Sequence, residues 1–374
     1  MADLVAIDLP GGPAFVRVLR DIWDAGDAAL PLDQRLPPPA REQVLAATRP
    51  TRVVDATGST TLEGLPVEDG DALVMVTSGS TGTPKGVVLT HDALTASALA
   101  TSRRLGVSAD DHWLACLPLS HIGGFSVITK ALATGTALTV LPAFDAAAVT
   151  DAARAGSTLV SLVPTALARI DPALFRVIVL GGSRPPTDRP SNCVATYGMT
   201  ETGSGIVYDG VPLDGVEVRL EDDGEVLVRG PMLLRCYRDD TTPLDPGGWL
   251  HTGDVGTWLD DGRLHVLGRR GDLIITGGEN VWPDAVERHL TDHPDVVEVA
   301  VAGVDDQEWG QRVVAWIVPR DAAAPPSLDG IRAWARDRMP AYMAPRELVV
   351  VTSLPRTALG KVPRRSLVEW GDRG

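Results

Sequence analysis

Residues 77 to 86, Thr77-Ser78-Gly79-Ser80-Thr81-Gly82-Thr83-Pro84-Lys85-Gly86, combine hydroxyl side chains, three glycines and one lysine, with no carboxylate among them. Hydroxyls and a lysine supply donors and positive charge, and glycines let backbone N–H groups approach a ligand closely. That composition suits a polyphosphate. It is not a Walker A loop, because Lys85 is followed by Gly86 and not by Ser or Thr, and the spacing from Gly79 is one residue too long. Lys85 is set apart by rarity. Of the 34 lysines and arginines only three are lysine, Lys85, Lys130 and Lys361, leaving thirty-one arginines. Where a residue merely has to be basic, this chain uses arginine.

Three further stretches could do chemistry. Thr196-Tyr197-Gly198-Met199-Thr200-Glu201-Thr202-Gly203 offers an aromatic face for a base, hydroxyls, and one carboxylate, Glu201, for a hard cation. A single carboxylate fits Mg²⁺, which keeps its waters and leans on substrate phosphates. Trp249-Leu250-His251-Thr252-Gly253-Asp254 ends in an acid suited to ribose hydroxyls. His121 precedes a Gly-Gly pair, and Gly181-Gly182-Ser183 follows an apolar run, so something flat could lie against that backbone.

The elements that must position these residues alternate in type. Ala72 to Val76 reads as a buried strand, followed by helical patterns from about His91 to Leu105 and up to Leu132, and by strands at Ala137 to Leu141, Thr158 to Val163 and Val177 to Leu180. Strands alternating with helical patterns imply βαβ units and a mostly parallel sheet, which places ligands at the strands' carboxyl ends. Gly262 to Arg269 reads as a hairpin, the first sustained antiparallel signal. From Met1 to Gly70 the pattern is weak, with helical stretches at 14–23 and 41–47 separated by a break at Pro37-Pro38-Pro39, and no function is legible there.

Composition narrows the class. At 374 residues with 44% hydrophobic and 22% charged content, the chain is an ordinary globular protein with room for two or three domains. A formal net charge of −15 argues against a nucleic-acid partner or an anionic membrane surface. No run of eighteen apolar residues predicts membrane insertion, and the acidic start carries no basic leader, so the expectation is a cytoplasmic protein. Cys116, Cys193 and Cys236 are dispersed and read as small core residues.

Taken in order, the loop at 77 to 86, Tyr197-Gly198-Met199-Thr200-Glu201, Trp249 to Asp254, Gly268-Arg269-Arg270-Gly271-Asp272 and Pro355-Arg356-Thr357-Ala358-Leu359-Gly360-Lys361 resemble the ordered motifs of the adenylate-forming superfamily. Acyl- and aryl-CoA ligases, peptide-synthetase adenylation domains and luciferase belong to it. The resemblance implies an α/β fold: a large N-terminal domain, 1–270, of layered mostly parallel sheets with helices plus an antiparallel barrel-like part, and a small mobile α+β domain, 271–374. It implies ATP, Mg²⁺ and CoA. Thr77, Ser78, Gly79, Ser80, Thr81 and Gly82, with Lys85, would wrap the β- and γ-phosphates. Tyr197, Gly198 and Met199 with Gly182 and Ser183 would hold adenine, and Asp254 and Arg269 the ribose. Thr200 would reach the α-phosphate, Glu201 the metal, and Lys361 the acyl carboxylate and α-phosphate together. His121 completes the candidate catalytic set, and Gly271 is the expected hinge.

Within the superfamily, Leu162 to Leu167, Leu180 to Pro186 and Gly268 to Ile275 followed by Gly277-Gly278-Glu279-Asn280 look most like the o-succinylbenzoate–CoA ligases of menaquinone biosynthesis. The implied reaction joins a carboxylic acid to CoA through an acyl-adenylate, releasing AMP and pyrophosphate. His121, Ser161, Thr165, Ser183 and Arg184 are donors available for a second carboxylate. Alternatives are another acyl- or aryl-CoA ligase, a stand-alone adenylation domain that loads a carrier protein, or a nucleotide-binding scaffold without chemistry. A homo-oligomer is left open by the sequence.

Overall fold

The structure, a computed structural model, describes residues 2–78, 84–183, 185–186, 188–356 and 362–371. The chain divides into two compact units: 1–218, 228–251 and 262–264 form the first, and 219–227, 252–261 and 265–374 the second.

Two seven-stranded sheets build the first unit. One runs in the order Cys236–Tyr237, Pro84–Thr90, Asp71–Ser78, Ala28–Pro31, Leu4–Asp8, Arg52–Asp55, Gly58–Thr61. The other runs Val211–Pro212, Ser204–Tyr208, Cys193–Met199, Val177–Leu180, Leu159–Leu162, His112–Ala115, Ala137–Val140. Their central strands pair in parallel, as the βαβ alternation predicts. Ala72, Leu73, Val74 and Met75 are fully buried, which is why this strand reads as a continuous apolar run and not as an alternating one.

Local signals set the element ends. The helix His91–Leu105 starts where the Thr90 hydroxyl accepts from Ala93 N–H at 3.1 Å, and it stops at Gly106 in the left-handed region. The prolines at 38 and 39 are not a break: they open the helix Pro38–Thr48, where a missing N–H and a fixed φ cost nothing. The first seventy residues, whose helical stretches at 14–23 and 41–47 are present but whose strands the sequence pattern does not announce, supply four strands of the first sheet, including its fully buried Leu4–Ile7.

A four-stranded half-barrel sheet runs Glu217–Leu220, Glu225–Arg229, Leu250–Trp258, Leu264–Arg269. In the second unit, Val296–Asp306 pairs antiparallel along Gly310–Pro319, and Glu347–Val350 adds in parallel. The helices Pro283–Thr291 and Leu328–Arg336 place Val286, Leu290 and Ile331 in the core of this sheet. Amphipathic helices over an antiparallel sheet make this the α+β part of the fold.

Candidate active site

The strands on either side of the candidate phosphate loop pair with each other. Asp71–Ser78 pairs antiparallel with Pro84–Thr90 in a register that sets Thr77 opposite Lys85 and Ser78 opposite Pro84. Lys85 is exposed on its strand. Gly79, Ser80, Thr81 and Gly82 lie outside the described residues, as do Arg184 and Lys361.

Lys85 and Glu201, far apart in sequence, meet through a residue that pattern reading missed. The Lys85 Nζ lies 5.0 Å from the centroid of the Tyr237 ring, and the Tyr237 hydroxyl donates to Glu201 Oε1 at 3.1 Å. Tyr237 is held there because Cys236–Tyr237 pairs with the lysine strand, Tyr237 opposite Val87. Glu201 sits on a 3-10 turn, Thr200–Thr202, whose shape is set by buried Thr202. The Thr202 hydroxyl accepts from Met199 N–H at 3.0 Å and lies 2.8 and 2.7 Å from the carbonyls of Met199 and Ser204. One arm of the corner is therefore cationic and the other anionic, with an aromatic ring between them.

Tyr197, Gly198 and Met199 run along the strand before that turn. A register shift at Tyr197/Gly198 interrupts the pairing with Ser204–Tyr208, and a Cβ at 198 would come within 2.3 Å of the Ser204 carbonyl oxygen, so only glycine fits. The neighbouring parallel strand Val177–Leu180 ends at Gly182, at φ 81°, and exposed Ser183. The two candidate adenine segments thus leave adjacent strands at the same, carboxyl, end.

His121 is the N-cap residue of the helix Ile122–Thr134. Its Nε2 lies 3.2 Å from Arg35 Nη2 and 3.6 Å from Asp33 Oδ2. Against Arg35, which can only donate, this nitrogen would have to accept, whereas against the Asp33 carboxylate it would have to donate. Asp33 grips Arg35 through both carboxylate oxygens, at 2.8 and 2.6 Å. Burial pushes the Asp33 carboxyl up, but the bonds from Arg35 outweigh it and leave it below the usual carboxylate range. The segment after Ala28–Pro31 therefore does reach a candidate site residue.

In the second unit Asp254 and Arg269 form a pair, Nε to Oδ1 at 2.7 Å, with the carboxylate buried and the guanidinium half exposed. Arg269 also donates to the Thr252 carbonyl at 2.8 Å. Gly253 between them takes φ 69° and donates to Glu225 at 3.0 Å. Gly271 falls in the 3-10 turn Arg270–Asp272.

All three cysteines are buried and free. Burial pushes the Cys116 thiol up to about 12 and raises those of Cys193 and Cys236, so none is a ready nucleophile. Among the described residues no group of three or more His, Cys, Asp or Glu side chains could by itself hold a metal ion.

A hydroxyl- and glycine-rich loop on a hairpin, a carboxylate joined to its lysine, and a separate α+β unit define an adenylate-forming enzyme. The chain belongs to the AMP-binding enzyme family, whose model matches residues 57–238, and the family's C-terminal domain matches residues 285–361. Among its relatives is the "Probable 2-succinylbenzoate--CoA ligase" of Mycobacterium tuberculosis, 41% identical over 361 residues that cover 88% of this chain and 94% of the relative. The 2-succinylbenzoate–CoA ligase of Bacillus cereus is 36% identical over 334 residues, covering 79% and 69%. Among solved structures, the o-succinylbenzoate–CoA synthetase of Bacillus subtilis in complex with its acyl-adenylate superposes with a TM-score of 0.87 at 30% identity, over 98% of this chain and 88% of that one.

Proposed function

We propose that this chain is an AMP-forming acid–CoA ligase whose acid is o-succinylbenzoate, placing it in menaquinone biosynthesis. The observation that carries the proposal is the corner where Tyr237 joins Lys85 to Glu201. It sets Lys85 and Glu201 at either end of one tyrosine, which supports reading the two as parts of one phosphate- and cation-binding site. The relatives named as 2-succinylbenzoate–CoA ligases support the choice of acid.

In this reading the substrate carboxylate attacks the α-phosphorus of ATP and pyrophosphate leaves. The CoA thiol then attacks the acyl carbon, with AMP as the leaving group. The first step crowds anions together, so catalysis is chiefly electrostatic preorganisation. Thr77, Ser78 and Lys85 hold the β- and γ-phosphates with the loop at 79–82. Thr200 contacts the α-phosphate. Lys361 bridges it to the acyl carboxylate. Tyr197, Gly198 and Met199 with Gly182 and Ser183 take the adenine, and the Asp254–Arg269 pair takes the ribose. Glu201, with the ATP phosphates, has the donor set that Mg²⁺ prefers, and the ion when bound neutralises charge on the leaving pyrophosphate. His121 is read as a polar contact to the acid or thioester. The stretch 271–374 acts as a lid that turns on Gly271 between the two half-reactions, and 1–270 as the domain it covers. The enzyme is read as cytoplasmic; among the described residues no helix is long and apolar enough to cross a membrane.

An ATP–pyrophosphate exchange assay across carboxylic acids tests the choice of substrate. o-Succinylbenzoate should exchange far faster than benzoate or a medium-chain fatty acid, because a site built for a second charged group leaves its donors unpaired when that group is missing. Equal rates for the three acids would refute the assignment.

A further inference from the structure

Arg364 stands three residues after Lys361 and carries four side-chain hydrogen bonds to three carboxylates. Its Nη1 donates to Asp272 Oδ2 at 3.1 Å, its Nε to Glu287 Oε1 at 3.3 Å, and its Nη2 to both Glu287 Oε2 at 2.7 Å and Asp284 Oδ1. Asp284 and Glu287 lie one turn apart on the helix Pro283–Thr291 and so share a face. Asp272 comes from the turn Arg270–Asp272, directly after Gly271. Glu287 Oε1 also accepts from Val301 N–H at 2.8 Å, which ties the cluster to the strand Val296–Asp306. All of these residues belong to the second unit.

An arginine that only anchored a C-terminal helix would need one partner, and here the helix Arg364–Gly371 already has an apolar anchor. Leu367 is fully buried among Ala300, Ala302, Val314, Trp316 and Leu354. The guanidinium instead reaches two segments at once. Its rigid fork fixes its orientation against carboxylates, which a lysine's point charge does not. From Arg364 back to Lys361 the chain is a tether of at most about 11 Å.

We propose that Arg364 is a positioning residue for Lys361: clamped by Asp272, Asp284 and Glu287, it fixes where the lysine-bearing segment leaves the domain and ties that segment to the hinge turn. This rests on the reading of Lys361 as the adenylation lysine. Losing the clamp should misplace Lys361 and leave the parts of the second half-reaction untouched. A misplacement of about 1 Å can cost on the order of 10²-fold in rate.

The test compares full-length Arg364→Met, Arg364→Lys, Asp272→Asn and Lys361→Ala with the wild type. Each is assayed for ATP–pyrophosphate exchange and for thioester formation from supplied acyl-adenylate and CoA, and its melting temperature is taken. Arg364→Met should lose exchange by about 10²-fold in kcat with KM for ATP little changed, while thioester formation stays within about twofold. Arg364→Lys, which keeps the charge without the fork, should fold and still lose exchange selectively. Asp272→Asn should show a smaller loss of the same kind, so the test survives a Met variant that does not fold. Equal losses in both half-reactions, or no loss in the Lys and Asn variants while Lys361→Ala abolishes exchange, would overturn the clamp. Exchange that persists in Lys361→Ala would instead overturn the reading of Lys361, and this inference with it.

Discussion

The two compact units secure their site residues by different means. In the first, Thr77, Lys85 and the segments carrying Tyr197 and Ser183 sit on or directly after paired strands, so the backbone ladder places them. In the second, Asp254 and Arg269 also lie on paired strands, Leu250–Trp258 and Leu264–Arg269, with an ion pair added between them, whereas Arg364 is set by side-chain ion pairs to three acids. A ladder spreads the work over many hydrogen bonds, whereas an ion pair concentrates it in two side chains. Geometry that depends on Arg364 should therefore be more sensitive to single substitutions that leave the fold intact than geometry held by a ladder.

The largest effect should come at the lysine that the second unit carries. Lys361→Ala should slow adenylation by roughly 10²–10³-fold, the scale for removing one preorganised electrostatic donor. Thioester formation from supplied acyl-adenylate should be nearly unchanged. Comparable losses in single-turnover measurements of both steps would erase the distinction between a residue placed for one half-reaction and one used throughout.

The first unit offers the converse case, an ion pair that supports the fold and not the site. Arg235 grips Asp71 through both oxygens, at 2.9 and 2.8 Å, and the Asp71 carboxylate is buried. Arg235→Met would leave that charge uncompensated and should cost about 3 kcal/mol in denaturant unfolding. The kcat of the fraction still folded should hold. A fall in kcat without loss of stability would place this pair in the site.

Lys130 sharpens the contrast from the other side. It is buried beside Trp113, its Nζ 2.9 Å from the Ser126 hydroxyl, and burial lowers its pKa from 10.5 to about 7. Between pH 7 and 10.5 the unfolded chain holds more protons at this position than the folded one, so the group's cost to the fold is full below pH 7 and fades toward pH 10.5. Lys130→Met should therefore stabilise the protein, by roughly 2 kcal/mol at pH 7 and by less at pH 9. Unfolding curves at the two pH values decide this; a stabilisation that grows with pH would contradict it.

The smallest effect is expected at the ribose pair. Asp254→Asn should raise KM for ATP by about tenfold, the scale of one weakened charge-assisted hydrogen bond, with a melting temperature close to that of the wild type. An unchanged KM would remove this pair from the nucleotide site.

The same contrast explains what could be read from the amino-acid order. Residues placed by strand ends were legible, because a buried apolar run and the loop after it are contiguous: Ala72 to Val76 leads into Thr77, and Val177 to Leu180 into Gly181. Contacts made across long separations left no trace. Tyr237 lies 36 residues from Glu201, Arg35 86 from His121, and Arg364 92 from Asp272. Nothing in Cys236-Tyr237-Arg238 announces a partner. Two central strands of the first sheet escaped for a different reason. Ala28–Pro31 is short, and its Ala-Ala-Leu-Pro sequence carries little strand signal, while Leu4–Asp8 is only five residues long. Pro38 and Pro39 misled because a proline pair reads equally as a break or as a first helical turn, and the following Val44 and Thr48, both buried, decide for the helix.

On the proposed function this chain carries an acid through an adenylate to CoA. Incubating the enzyme with o-succinylbenzoate, ATP, Mg²⁺ and CoA, and resolving the products by mass spectrometry, tests it most directly. The expected products are o-succinylbenzoyl-CoA in equal amount with AMP, and pyrophosphate formed even when CoA is left out. ADP and phosphate in place of AMP and pyrophosphate, or an adenylate that CoA does not discharge, would contradict it.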